Sequence, residues 1–209
     1  MLDRILGENP EIRRIQSSAA RALLRLGLNA DSATAIAVIA GAASGLAFAS
    51  GAVRLGIVML AVSGAMDAID GTMARESGSP TPFGGVSDLV ADRVVESIVI
   101  VGIAWRYPEL YLPALILVAS WYVNITVFLA VGAALERRGP KLIDYPPGIL
   151  ERTEALIFFI VLAAIESIGP LRPAGPLLCY AMTAMEAATG AQRFWFGIKM
   201  LRTGSSTDS

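Results

Sequence analysis

Asp67-Ala-Ile-Asp70-Gly71-Thr-Met-Ala74-Arg75 is followed, after eight residues, by Gly84-Gly-Val-Ser-Asp88-Leu-Val-Ala-Asp92. Four carboxylates thus stand in two pairs inside an apolar chain. On a helix, Asp67 and Asp70 lie three apart and share a face, while Asp88 and Asp92 lie four apart and share another. A glycine-containing turn between the pairs lets the second helix fold back on the first. The four carboxylates then converge into an oxygen-rich cage suited to hard divalent cations.

The physical argument for cations is one of charge. A carboxylate near a bilayer core costs roughly 2.5–3.5 kcal/mol on insertion scales, and four together repel one another. Two divalent ions offset the four charges, and two metals about 3.5–4 Å apart can clamp both oxygens of a phosphoryl displacement. Ordinary interhelical polar contacts, or a cation transporter or channel, would also use acidic groups, so the flanking residues matter. Gly71 and Gly84 let a ligand or another backbone approach closely. Ala74 keeps the same face small, which also suits tight helix packing in membranes. Arg75 can meet a phosphate with a planar fork of donors, and a cation pathway has no use for it.

The 209 residues are 55% hydrophobic, with a mean hydropathy of +0.60. Six apolar segments approach membrane-spanning length: residues 34–50, 56–72, 90–105, 110–134, 150–167 and 176–198. Gly, Pro or charge breaks the chain between them. These features predict a single all-α membrane domain over residues 1–209 with six transmembrane helices. Arg4, Arg13, Arg14, Arg21 and Arg25 interrupt the first 27 residues, so no signal-peptide core is present there. Ile15, Ala19, Leu23 and Leu26 recur opposite the arginines. Residues 1–30 therefore read as a juxtamembrane amphipathic helix on the membrane surface, or as a soluble helix packed on a partner. The Ser/Thr/Asp tail, 204–209, reads as disordered.

Lys and Arg set the orientation. Fourteen of the 17 fall on the side of the N-terminus, and Arg54, Arg106 and Arg172 fall on the other. Both termini and the Asp cluster are then cytoplasmic, in a multi-pass protein of the cell membrane. The net charge of −1 gives no reason to expect nucleic acid as a partner. With no His and one Cys, Cys179, imidazole or thiolate metal sites and an intrachain disulfide are excluded.

The pattern D-x2-D-G-x2-A-R-x8-G-x3-D-x3-D resembles the signature of the CDP-alcohol phosphotransferases (CDP-alcohol phosphatidyltransferase class I), and residues 67–92 match it at every fixed position. The resemblance implies a membrane enzyme that transfers a phosphatidyl group from CDP-diacylglycerol to the hydroxyl of a polar alcohol, releasing CMP. It also implies two divalent cations, Mg²⁺ or Mn²⁺, membrane lipids as partners, and a homodimer. Asp67, Asp70 and Asp88 are similar to the family's metal ligands. Asp92 is similar to the residue at the second metal that takes the acceptor's proton. Gly71, Arg75, Thr81 and Gly84 look like donor contacts. Upstream, Gly27-Leu-Asn-Ala-Asp31-Ser-Ala-Thr34 resembles the family's G-[LV]-[ST]-P-[ND]-x-x-T segment, which extends the donor contacts to Asp31, Ser32, Ala33 and Thr34. Asn29 and Ala30 depart from it. In any case Asp31 reads as a helix N-cap.

Length and layout look like the phosphatidylinositol phosphate synthases. Those enzymes carry a basic K-A-R-A-E segment in the fourth span and E-R-x-E-R at the fifth. Here the corresponding stretches read Val127-Phe-Leu-Ala-Val131 and Glu151-Arg152-Thr153-Glu154-Ala155. A phosphorylated acceptor needs cations, because a buried unpaired phosphate is costly. The departure predicts an acceptor less anionic than inositol phosphate, with Arg152 and Arg193 as possible acceptor contacts or as snorkelling arginines. A phosphatidylinositol phosphate synthase proper, and transfer from a CDP-linked small alcohol to a lipid, are the alternatives.

Overall fold

Capping chemistry sets the helix boundaries. The computed structural model describes residues 9–78, 81–136 and 152–203. Seven α-helices and no strand occur among them: α1 Pro10–Arg25, α2 Ala30–Ala49, α3 Val53–Glu76, α4 Pro82–Arg106, α5 Tyr111–Glu136, α6 Arg152–Ser167 and α7 Ala174–Thr203. Asn9 caps α1 by accepting from the Glu11 N–H at 2.9 Å, with Pro10 in the first turn. Asn29 caps α2, its Oδ1 accepting from the Ser32 N–H at 2.8 Å. Asp31, expected to be the cap, lies inside the helix. Asparagine is as good a cap as the threonine or serine of the family pattern, so the Asn29 departure leaves the turn intact. The tail at 204–209 and the cations Arg137, Arg138 and Lys141 lie outside the described residues.

The apolar segments predicted from sequence fall within α2 to α7 wherever the structure describes them, apart from the end residues Ser50 and Leu110. Two helical stretches, Ala30–Ala49 and Pro108–Leu135, are long and apolar enough to cross a membrane by themselves. Among the other helices, α3, α4 and α6 carry the charged residues of the site.

Close packing of α2, α3 and α4 places those charges. Residues near the N-terminus of α2 share a cavity with residues near the N-terminus of α4, and further along Gly45 of α2 meets Gly102 of α4. The two helices therefore run in parallel, with α3 antiparallel between them in sequence. A Cβ at Gly102 would land on the Gly45 carbonyl, so this crossing is backbone on backbone. Ser63 Oγ donates to the Ala37 carbonyl at 2.7 Å and Ser44 Oγ to the Gly56 carbonyl at 2.8 Å. These bonds tie α2 to α3 while satisfying buried hydroxyls. The main core joins Phe48, Leu60, Ile100, Ile103, Leu117, Trp121, Phe159 and Leu162, with Trp121 edge-on to Phe159 at 5.9 Å.

The α1 helix packs beside the acidic end of α3. Ala20, Ala33 and Met73 are fully buried together, with Leu23, Leu24 and Ile69 against them. Arg21 reaches Glu76 at 3.2 Å. Ile15 and Leu26 of this region remain exposed.

Candidate active site

Asp67 and Asp70 lie on α3, which continues as one helix to Glu76 and so carries Gly71, Ala74 and Arg75 as well. Gly78, at φ +68°, turns the chain out of α3. Thr81 then caps α4, its Oγ1 accepting from the Gly84 N–H at 3.0 Å, and Pro82 starts the helix that bears Asp88 and Asp92. The fold-back predicted from the spacing is present. Asp67, Asp70 and Asp88 each offer a carboxylate oxygen, and these atoms all lie within 4.8 Å of one another. Asp67 and Asp70 are buried. Burial also raises the Asp88 carboxyl above its ordinary value.

Three observations fit this cage to hard divalent cations. All its donors are carboxylate oxygens. Asp88 Oδ1 is buried without a hydrogen-bond partner, so it has lone pairs to give. Asp70 is oriented from outside the cage: Thr34 Oγ1 of α2 donates to its Oδ2 at 2.6 Å. Such outer partners hold metal ligands in place. The bond from Thr34 to Asp70 is a partnership that no spacing along the chain could display.

Asp92 joins the cluster through an arginine from far along the sequence. Arg152, at the start of α6, pairs with Asp67, lies 2.6 Å from Asp92 Oδ1 and 3.7 Å from Asp88 Oδ1. Arg193 goes elsewhere: its NH1 donates to Asn124 Oδ1 at 3.1 Å, and its guanidinium lies over the Phe128 ring, 5.2 Å from the centroid. It lines neither of the two cavities that flank the cage.

The first cavity, about 260 Å³, opens between α2, α3 and α4. Asp31, Thr34, Asp70, Gly71, Arg75, Thr81, Gly84 and Asp88 line it, with Ala30, Ala74 and Gly85. Of the eight predicted donor residues, six therefore converge. Ser32 and Ala33 do not line it: the Ser32 hydroxyl donates to Asn29 at 2.7 Å, and Ala33 is buried against Ala20 and Met73. Helical periodicity turns those two positions away from the face of Asp31 and Thr34. A Cβ at Gly71 would meet only the Arg75 guanidinium, at 3.5 Å. Gly71 thus keeps the cavity open beside Arg75 rather than serving helix packing. Arg75 is exposed, and its NH2 donates to Thr72 at 3.0 Å. The second cavity, about 40 Å³, lies on the α6 side of the cage and includes Ser63, Asp67, Asp92, Glu96, Arg152 and Ala155 in its lining.

The family model for CDP-alcohol phosphatidyltransferase matches residues 28–191. A phosphatidylinositol phosphate synthase of Mycobacterium marinum is 30% identical, over 87% of this chain and 79% of that protein. An archaetidylinositol phosphate synthase of Methanothermobacter thermautotrophicus is 34% identical, over 72% of each. Among solved structures, the phosphatidylinositol phosphate synthase of Mycobacterium tuberculosis with CDP-DAG bound superposes with a TM-score of 0.73 at 27% identity, covering 88% of this chain and 94% of that one. The same enzyme in complex with manganese and citrate gives a TM-score of 0.72 at 27% identity, covering 87% of this chain and 88% of that one.

Proposed function

The chain belongs to the CDP-alcohol phosphatidyltransferase family, and from that premise we propose the roles of its individual residues. The protein is a metal-dependent membrane transferase of phospholipid biosynthesis. It moves a phosphatidyl group from CDP-diacylglycerol to the hydroxyl of a polar alcohol and releases CMP. The observation that carries this reading is the meeting of a three-carboxylate cage, Asp67, Asp70 and Asp88, with a cavity bearing Gly71 and Arg75.

Asp67, Asp70 and Asp88 hold the divalent cations, Mg²⁺ or Mn²⁺, with Asp92 at the second ion. When bound, the two ions supply Lewis-acid stabilisation of the phosphoryl displacement. Thr34 keeps the Asp70 carboxylate aimed at the cage. The cavity of Asp31, Thr34, Gly71, Thr81 and Gly84 takes the cytidine diphosphate, and Arg75 pairs its phosphates. The acceptor hydroxyl attacks the phosphorus that bears the diacylglycerol. A new O–P bond forms, the bond to the CMP oxygen breaks, and Asp92 receives the hydroxyl proton. CMP departs with the electron pair, its charge met by Arg75.

For the acceptor we infer a neutral polyol, a zwitterion or a second lipid. Ala155, where the resemblance expects a cation, lines the small cavity beside Asp92, and Arg152 there is engaged with Asp67 and Asp92. The second reading, a phosphatidylinositol phosphate synthase proper, is favoured by the names of the relatives. Six membrane crossings, cytoplasmic termini, an α1 helix on the membrane surface and a homodimer complete the proposal. The charge asymmetry and the exposed Ile15 and Leu26 support its membrane placement.

Purified protein given CDP-diacylglycerol and a panel of alcohols tests the reaction. CMP release should require Mg²⁺ or Mn²⁺ and stop in chelator, and mass spectrometry should identify the phosphatidyl product. Absence of CMP release with every alcohol, with metal present, would refute the assignment.

A further inference from the structure

The arginine that enters the cage from α6 has a consequence for metal binding. Arg152 pairs with Asp67, contacts Asp92 at 2.6 Å and stands 3.7 Å from Asp88. These are carboxylates that the cations need. A guanidinium and a divalent ion cannot use the same oxygen lone pairs in the same direction, and they repel one another across a few ångströms. Arg152 also lines the small cavity on the side of the cage away from Arg75, with a side chain about one third exposed (35%). The guanidinium therefore has somewhere to withdraw to.

We propose that Arg152 is a resident counter-charge that competes with divalent cations for Asp67, Asp88 and Asp92 and is displaced when the cage is loaded. The inference rests on the metal-site part of the proposed function. The cage is then balanced by one of two alternatives: the arginine, which ties α6 to α3 and α4, or the ions, which free the arginine into the small cavity. Arg152 is a positioning residue in this scheme. It offsets the repulsion of Asp67 on α3 with Asp88 and Asp92 on α4, and it lowers the apparent metal affinity by the strength of its own hold.

Mn²⁺ binding to the full-length protein in detergent, followed by electron paramagnetic resonance after chelator treatment, tests the competition. Arg152→Gln removes the competing charge, so its Mn²⁺ affinity should rise by about tenfold or more. Its thermal midpoint in chelator should fall below that of the unsubstituted protein, and Mn²⁺ should close the gap. An arginine that merely packs would lower the midpoint in both buffers without raising affinity. Unchanged or weaker Mn²⁺ binding by Arg152→Gln overturns the proposal. Should that variant fail to fold, Arg152→Lys carries the test. Its single ammonium lacks the fork that engages several carboxylates, so Mn²⁺ affinity should rise by a smaller factor, and no rise again overturns the proposal. Neither donor nor acceptor enters the measurement. A protein that bound Mn²⁺ in this pattern but released no CMP would refute the reaction and leave the competition standing.

Discussion

The Thr34 hydroxyl on α2 donates a 2.6 Å hydrogen bond to Asp70 Oδ2 on α3. One bond thus links the proposed donor segment of the chain to the proposed metal cage. Thr34→Val keeps the shape and removes the donor. Metal affinity and turnover should fall by about 10–100-fold, the range for losing an outer partner of a metal ligand, and Thr34→Ser should recover most of both. Wild-type Mn²⁺ affinity in Thr34→Val would show that Asp70 needs no such support.

Asp92 and Arg75 should separate chemistry from binding. Asp92→Asn leaves the donor cavity intact, since Asp92 does not line it. Turnover should drop by roughly 10²–10⁴-fold, the usual scale for a lost general base, with donor affinity largely kept. Arg75→Ala should chiefly raise the donor KM. Steady-state kinetics with varied CDP-diacylglycerol distinguishes the two, and a swapped pattern would exchange their roles.

Acceptor choice turns on the missing cations. Each absent charge-assisted bond removes roughly 1.5–3 kcal/mol, and two such losses weaken a dianionic acceptor by roughly 10²–10⁴-fold at 1.4 kcal/mol per decade. Inositol 1-phosphate should therefore lose to an uncharged or zwitterionic alcohol at equal concentration. Preferential formation of phosphatidylinositol phosphate in that competition would establish the second reading, with the cations supplied from elsewhere in the chain.

Orientation is open to labelling. Cys179 is fully buried, so single cysteines can be introduced against a quiet background. Ser50→Cys, Glu109→Cys and Leu171→Cys should react with an impermeant thiol reagent from outside the cell, and Ser77→Cys should not. Reaction at position 77 would move the site to the opposite face of the membrane.

Much of this protein was legible in its sequence because the informative relationships are short. Spacings of three and four residues put each Asp pair on one helix face. A glycine-containing turn brings the pairs together, with Gly78 at positive φ, whereas the cap of α2 is Asn29 and not the Asp31 expected from the sequence. The apolar runs and the placement of arginines outline an all-helical membrane domain. Helical phase separates Ala33, buried on α1 and α3, from Thr34 at the site, and that distinction needed the packing partners to be known. Leu129, in the stretch that stands where the resembled enzymes carry cations, is exposed, whereas Ala155 lines the cavity beside Asp92. The entry of Arg152 among carboxylates 60 to 85 residues earlier, and the departure of Arg193 to Asn124 and Phe128, were decided by tertiary structure alone. Sequence periodicity sets which side chains share a face. Which faces meet depends on how closely the backbones approach, and here the contact of Gly45 with Gly102 and the serine bonds between α2 and α3 settle it.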